Sequence, residues 1–420
     1  MRHIARLIIS FICAFLIWGS ASAQEGQFVA FMNSAGQLLI SSQDGQIRWI
    51  LSDPGQTIAT QQLPKWSFDG HRLLYALDLG QQSFDLRMVD APSQSLIAST
   101  PINPFGGADW VSGQNALVAQ GSELLVFNTA LQSLGTFQGN LRLLQTVQTG
   151  NGVLALLVEG NAYRLFNANN TALFELPGQY DARTHGHTTN EQGLIAYSSR
   201  DESGGSLLVV VSANGTFFAH PSASTSPMQA LTFTGDRRLN YRDVSGVIRI
   251  ADVSCVLTSC GVDPFSSALD ILPASAGEIK LNGNTLVYKD ANQLLMAPIT
   301  CLNTGSCNAS AAVLATNVAL RLPYFMADNG KLFYTGFNNN VADVSDRHLF
   351  SADLACADCG AQLLRSGALA VDLSSDGRKL VIDDADEGLN ILDLASGSLV
   401  FLAPPAANWG NALPFVRWSP

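Results

Sequence analysis

Charge is what this sequence has least of. Only 14% of its 420 residues are charged, and the basic ones are the minority, 23 against 34 acidic. A nucleic-acid-binding surface needs a surplus of Lys and Arg to displace counterions from the phosphate backbone, so that class of partner is excluded as the main business. Long apolar runs are as scarce. Beyond residue 23 no segment reaches the roughly 20 apolar residues of a membrane span. No long stretch keeps the 3.6-residue period of an amphipathic helix. Catalytic signatures are missing too: there is no G-x-S-x-G elbow, no phosphate-cradling Gly-rich loop ending in Lys-Ser or Lys-Thr, and no H-E-x-x-H. What is abundant is apolar residues, at 47%, which excludes a disordered chain, together with 36 Gly and 16 Pro, which point to many turns.

Residues 1–23 read as an export leader. Arg2 and Arg6 form a positive start, residues 7–18 an apolar core, and Ala21-Ser22-Ala23 a small-x-small cleavage site. Cys13 follows bulky Ile12, which argues against lipidation. Removing the leader takes away two arginines, so residues 24–420 carry 21 basic and 34 acidic residues, a net of −13.

Short β-branched, aromatic and leucine runs then alternate with Gly, Asn, Asp and Ser turns. One unit recurs, a strand, a tight turn and a strand. It is clearest at Lys65-Trp66-Ser67-Phe68-Asp69-Gly70-His71-Arg72-Leu73, at Asp109-Trp110-Val111-Ser112-Gly113, and at Leu373-Ser374-Ser375-Asp376-Gly377-Arg378-Lys379. Weaker copies turn near Gly150, Gly193, Gly235, Gly283 and Gly330. The spacing of about 37–48 residues is the length of a four-stranded propeller blade. The C-terminal Phe415-Val416-Arg417-Trp418-Ser419-Pro420 is a first strand without its turn, and Glu25-Gly26-Gln27-Phe28-Val29 supplies a turn and a second strand. Together these features predict an all-β fold: a single closed β-propeller over 24–420, of about nine four-stranded blades with eight as the alternative, one blade being shared between the two ends.

Trp66-Ser67-Phe68-Asp69-Gly70 and Ser374-Ser375-Asp376-Gly377-Arg378-Lys379 resemble the WD40-like (PD40) repeats of the TolB propeller family, whose signature is Trp-Ser-Pro-Asp-Gly before a basic residue and an apolar strand. Asp384-Ala385-Asp386-Glu387-Gly388 is similar to that family's acidic turn before its third strand. The separate N-terminal domain of TolB proteins is not seen. The resemblance implies a propeller, a bacterial periplasmic setting and protein partners.

Six cysteines follow the leader in three local pairs, Cys255/Cys260, Cys301/Cys307 and Cys356/Cys359. Each falls between a third and a fourth strand. An even count in an exported chain favours disulfides, expected here to pin hairpins at the exposed outer rim. Redox chemistry at Cys356-Ala357-Asp358-Cys359 would need a helix start to lower a thiol pKa, and zinc would need four converging ligands. His185 and His187 would lie on one face of a strand, about 7 Å apart, near the inner edge of a blade. A metal on the ring axis would need a third ligand that the sequence does not offer, so two polar strand residues are the simpler reading. Asp384, Asp386 and Glu387 pose the same choice between calcium and an acidic turn.

Two polar connections share the face that carries the second-to-third-strand loops, residues 199–205 and 337–347. They nominate Arg200, Asp201, Glu202, Asn338, Asn339, Asn340, Asp343, Asp346 and Arg347 as binding residues, because function concentrates in loops on a rigid scaffold. The expected function is a non-enzymatic, periplasmic or secreted monomer that binds a protein or an envelope polymer, with no cofactor and no bound metal. The alternative is a polysaccharide lyase or hydrolase working from the central channel with His185 and His187.

Overall fold

The computed structural model describes residues 27–420 except 60–63, 82, 150–151, 169–171, 183–185, 191, 236, 306, 320, 339–345, 357–358 and 406–413. The leader-like segment 1–23 and the turn residues Gly26, Gly150 and Asp236 lie outside the described residues.

Among these residues the strands group into eight antiparallel sheets in which neighbours in sequence are hydrogen-bonded neighbours in space. They occupy residues 57–102, 105–136, 141–222, 229–272, 276–315, 324–366 and 368–403, and an eighth sheet joins the two ends of the chain. The 141–222 sheet is two four-strand meanders linked by the single pair Gln179↔Arg200. In the terminal sheet Val416–Trp418 runs antiparallel to Phe28–Met32, with Val29 opposite Trp418. Ser419 locks this pairing: its N–H donates to the Phe28 carbonyl (2.7 Å) and its hydroxyl accepts the Phe28 N–H (2.9 Å).

The recurring turn is a local device. Ser67 Oγ donates to Asp69 Oδ1 (2.6 Å), Asp69 Oδ1 accepts the His71 N–H (3.2 Å), and Ser67 Oγ accepts the Arg72 N–H (2.9 Å). Gly70 then takes φ +71, a left-handed conformation that a Cβ would strain. Ser374, Asp376 and Gly377 repeat every one of these contacts. The turns at Gly193, Gly235, Gly283 and Gly330 likewise sit between first and second strands.

The repeat tryptophans act between sheets. Trp110 Nε1 donates to the Lys65 carbonyl (2.9 Å), Trp66 Nε1 to the Arg417 carbonyl (2.9 Å), and Trp418 Nε1 to the Asp372 carbonyl (3.3 Å). Each indole therefore stitches its own first strand to that of the sheet before it, and the series runs unbroken across the terminal sheet. Side chains show the same two-sidedness. In Arg72–Gly80, Leu73, Tyr75 and Leu77 pack with Phe28 and Ile40 of the terminal sheet, whereas Leu74 and Ala76 pack with Trp110 and Val118 on the other side. The 2.0-residue period of a strand thus serves two separate cores. The last such core joins Val371, Val381 and Ile391 to Val29, Phe31 and Leu39 of the terminal sheet.

All three cysteine pairs are at bonding distance: Cys255–Cys260 at S–S 2.02 Å, Cys301–Cys307 at 1.97 Å and Cys356–Cys359 at 1.91 Å. All lie between third and fourth strands. The expected exposed position at the outer rim needs correction for two of them. Cys255 and Cys260 are half-buried, because the 3-10 helix Ser254–Leu257 turns them against Val256 and Phe265 in the core that joins the 141–222 and 229–272 sheets. Cys301 and Cys307 are fully buried, because the short 3-10 helix Ile299–Asn303 folds the connection back against Ile271 and Leu272 of the preceding sheet. In the third pair Cys356 is half-buried and Cys359 exposed.

The acidic turn is also engaged. Arg365 of the 324–366 sheet pairs with Asp384 and, at 2.8 Å, with Glu387, while the N–H groups of Asp386 and Glu387 donate to Asp384. Burial works to raise the Asp384 pKa, but Arg365 and the two N–H groups outweigh it and hold the carboxyl below its usual range. Neighbouring Asp383, buried beside that charge, is pushed up to about 6.

Four outcomes follow from this packing. Trp66→Phe keeps an aromatic ring but loses the bond to Arg417, and should cost about 0.5–1.5 kcal/mol in urea unfolding. Limited reduction followed by alkylation and mass spectrometry should label Cys356 and Cys359 first, Cys255 and Cys260 next, and Cys301 and Cys307 last. Cys301→Ala with Cys307→Ala should cost about 2–4 kcal/mol. The raised pKa of Asp383 means the folded protein binds more protons than the unfolded chain between about pH 4 and 6. Its favourable contribution is complete below the unfolded pKa and disappears as pH rises through 6. Asp383→Asn should therefore raise stability by about 1–3 kcal/mol at pH 7 and make no difference near pH 3, as followed by thermal melts.

Candidate functional site

Antiparallel meanders put their connections at alternate ends. First-to-second and third-to-fourth turns, with the disulfides, share one face. Second-to-third loops and the links between sheets share the other, where the sequence nominates its binding residues. There, Arg200 is committed to structure: Nη1 donates to the carbonyls of Thr225 (2.6 Å) and Gly204 (3.2 Å), and Nε lies 3.6 Å from Asp181. Asp201 shapes its own loop. Its Oδ1 accepts the Ser203 hydroxyl (2.7 Å) and the N–H groups of Gly205 (2.8 Å) and Ser203 (2.9 Å), and these bonds, the hydroxyl first, lower its pKa. Glu202 and Asn338 are exposed.

In the other loop, Asp346 Oδ1 lies 3.2 Å from His348 Nε2, and His348 Nδ1 accepts the Gly367 N–H (3.0 Å). That acceptor role assigns the ring proton to Nε2, so His348 donates to Asp346 and ties the loop exit to the linker before the next sheet. The Arg347 guanidinium lies 5.9 Å from the Phe337 ring centroid, and burial pulls its pKa down. Asn339, Asn340, Asp343 and His185 lie outside the described residues. His187 is half-buried on the inner strand His187–Thr189, opposite Tyr197. Arg200 and Asp201 thus share one network and Asp346 and His348 another, on different sheets, with Arg347 set against Phe337. No cluster of three metal-ligating side chains occurs among the described residues, and no helix among them is long and apolar enough to cross a membrane.

The opposite face holds a recess of about 700 Å³, away from every residue that the loop pattern of the sequence points to. The ends of four consecutive first strands form it, Gln229–Thr234, Ala276–Asn282, Tyr324–Met326 and Ala368–Leu373. Phe233, Phe325 and Met326 line it beside Lys280 and Asn282. Lys280 is set by its neighbours. Its ammonium lies 3.0 Å from Glu278 Oε1, donates to the Tyr324 carbonyl, and sits 4.8 and 5.1 Å from the ring centroids of Tyr324 and Phe325. The second Glu278 oxygen is 3.1 Å from the ammonium of buried Lys289, which also donates to the Leu322 carbonyl. Burial pulls the Lys289 pKa down, against the attraction of Glu278. Glu278 thus bridges the two ammonium groups, and Asp328 lines the recess as well, so Lys280 is a cation set among mixed charges. Asn282 Nδ2 donates to the Ala327 carbonyl (2.8 Å) and fixes this strand end to the next sheet. The recess therefore offers a cation, an amide and aromatic surface on strands that cannot move independently, a combination suited to binding.

Repeat register is the signal that finds these residues. Lys280, Phe325 and Asp372 occupy the strand position of Lys65 and Asp109, just ahead of the first turn, and Lys65 and Asp109 are themselves paired across two sheets at 2.8 Å.

No protein-family model matches the chain, and no curated protein matches it in sequence. Among solved structures, a eukaryotic initiation factor matches with TM-score 0.54 and 13% identity, over 95% of this chain and 99% of that one. AztD from Citrobacter koseri matches with TM-score 0.49 and 8% identity, over 94% and 98% of the two chains. TolB from Acinetobacter baumannii matches with TM-score 0.33 and 14% identity, over 55% and 62%. Likeness at such identities concerns fold alone. The four-stranded meanders packed face to face are those of a β-propeller.

Proposed function

We propose that the sheets close into one ring of nine blades, and that this ring is an exported, non-catalytic scaffold that binds a protein partner in the cell envelope. The count takes the eight-stranded sheet as two blades and each other sheet as one. Closure is supported by the terminal sheet, which shares one core with the 57–102 sheet and another with the 368–403 sheet. Export is supported by the leader-like residues 1–23 and by three cysteine pairs at bonding distance.

The observation that carries the binding role is the recess at the mouth of the ring, where Lys280, Asn282, Phe233 and Phe325 converge from separate blades. Aromatic anchors beside a fixed cation are the usual makings of a binding hot spot, and a rigid support lowers the entropy lost on association. The second-to-third-strand loops, with Glu202 and Asn338 exposed, form the rival surface on the opposite face.

Photocrosslinking separates the two. With p-benzoylphenylalanine in place of Phe325, a discrete protein adduct is expected in intact cells, and Lys280→Glu should abolish it. With the same probe at Glu202, no adduct is expected. Adducts from Glu202 alone would move the site to the other face, and adducts that contain polysaccharide would change the class of partner. Silence at both positions would sink the scaffold reading.

A further inference from the structure

A second recess, of about 660 Å³, opens on the same face but away from the mouth, between the 324–366 and 368–403 sheets. Its lip is framed by the recurring turn of two consecutive repeats, Asn329-Gly330-Lys331 and Asp376-Gly377-Arg378. In each, the side-chain Oδ1 of the Asn or Asp accepts the N–H of the basic residue, at 3.1 Å for Lys331 and 3.0 Å for Arg378, so both cations start from fixed backbone. The two turns are in contact. A Cβ at Gly377 would lie 2.9 Å from that of Ala327, and only glycine lets the second turn seat so closely.

The charges at this recess are unequally matched. Arg365 in its wall is held by Asp384 and Glu387. Its lining carboxylate, Asp393, accepts the Ser396 N–H (2.8 Å) and hydroxyl (2.9 Å) and the Ala395 N–H (3.1 Å), and lies 3.8 Å from Lys379. Neither the Lys331 ammonium nor the Arg378 guanidinium has an ion-pair or hydrogen-bond partner among the described residues, and both residues are exposed. Behind them Phe333, Leu364, Leu392 and Leu394 supply apolar surface, with Ser351 and Gln362 beside it. Two cations with no ion-pair partner among the described residues, one of them in the same turn as Asp376, stand out at the lip of this cleft in a chain of net charge −11.

We infer that this cleft binds a small organic anion with an apolar body, of which a carboxylate on a hydrocarbon chain is the simplest member. Lys331 and Arg378 hold the anionic head through charge-assisted hydrogen bonds, and Phe333 and the leucines take the tail. The volume falls within the roughly 300–1,000 Å³ of small-molecule sites. The site is separate from the channel mouth and stands or falls independently of the proposed partner.

Calorimetric titration of the full chain with dodecanoate and dodecyltrimethylammonium, both below their micelle concentrations, and with acetate tests the inference. Dodecanoate should bind one to one and at least tenfold more tightly than the cationic amphiphile with the same tail, and acetate should not bind measurably. A Lys331→Gln, Arg378→Gln double variant should lose at least tenfold in dodecanoate affinity while melting at the wild-type temperature. Equal affinity for the two amphiphiles, wild-type binding by the double variant, or no heat from dodecanoate would each overturn the assignment.

Discussion

Everything in this molecule depends on covering both faces of small, apolar sheets. A strand such as Arg72–Gly80 sends alternate side chains into two different cores, so no sheet is stable without a neighbour on each side. That requirement falls hardest on the ends of the chain, where a sheet would otherwise leave one face bare and one strand edge unpaired. Pairing Val416–Trp418 with Phe28–Met32 answers both needs. It also lets the tryptophan series continue without a gap, from Asp372 through Trp418 and Arg417 to Trp66, Lys65 and Trp110.

The scarcity of charge has a structural counterpart. Many of the charged groups that are present work between sheets: Lys65 with Asp109, Arg365 with Asp384 and Glu387, Arg48 donating to the Leu402 carbonyl. Partly buried pairs of this kind fix how one sheet sits on the next, and removing a single partner would leave the other charge uncompensated. Polar residues of the loops take part in the same kind of structural work. Arg200 and Asp201 look like ligand-binding residues in the sequence, yet hydrogen bonds within their own loop and to the neighbouring linker engage them.

The opposite face shows the complementary case. Lys280 is held by Glu278 and two aromatic rings but still borders open space, and Lys331 and Arg378 have no partner at all among the described residues. A repeat protein can create such places because equivalent turns recur at a fixed height while the residues between them are free to vary. Asp109 and Lys65 neutralise each other at a position where Phe325 and Lys280 line a recess.

The all-β class, the turns and the three cysteine pairs were legible from the sequence because each is decided within a few residues. Ser67, Asp69 and Gly70 form their turn through contacts no more than five positions apart, so the pattern of residues is itself the structure. The depth of the disulfides was not legible. Cys255 and Cys260 pack toward Phe265, and Cys301 and Cys307 are buried, only because short helices lay those connections against the core beside another sheet. Nor were the recesses, which belong to no single repeat. Lys280, Phe233 and Phe325 come together only because first strands from separate sheets end side by side, and Lys331 meets Arg378 only because one turn seats against the next. The sequence by itself determined the repeating unit and the local geometry of its turns, because those rest on short-range hydrogen bonds and strand periodicity. Tertiary structure alone decided which side chains face open space and which are neutralised, because that depends on the packing of sheets far apart in the chain.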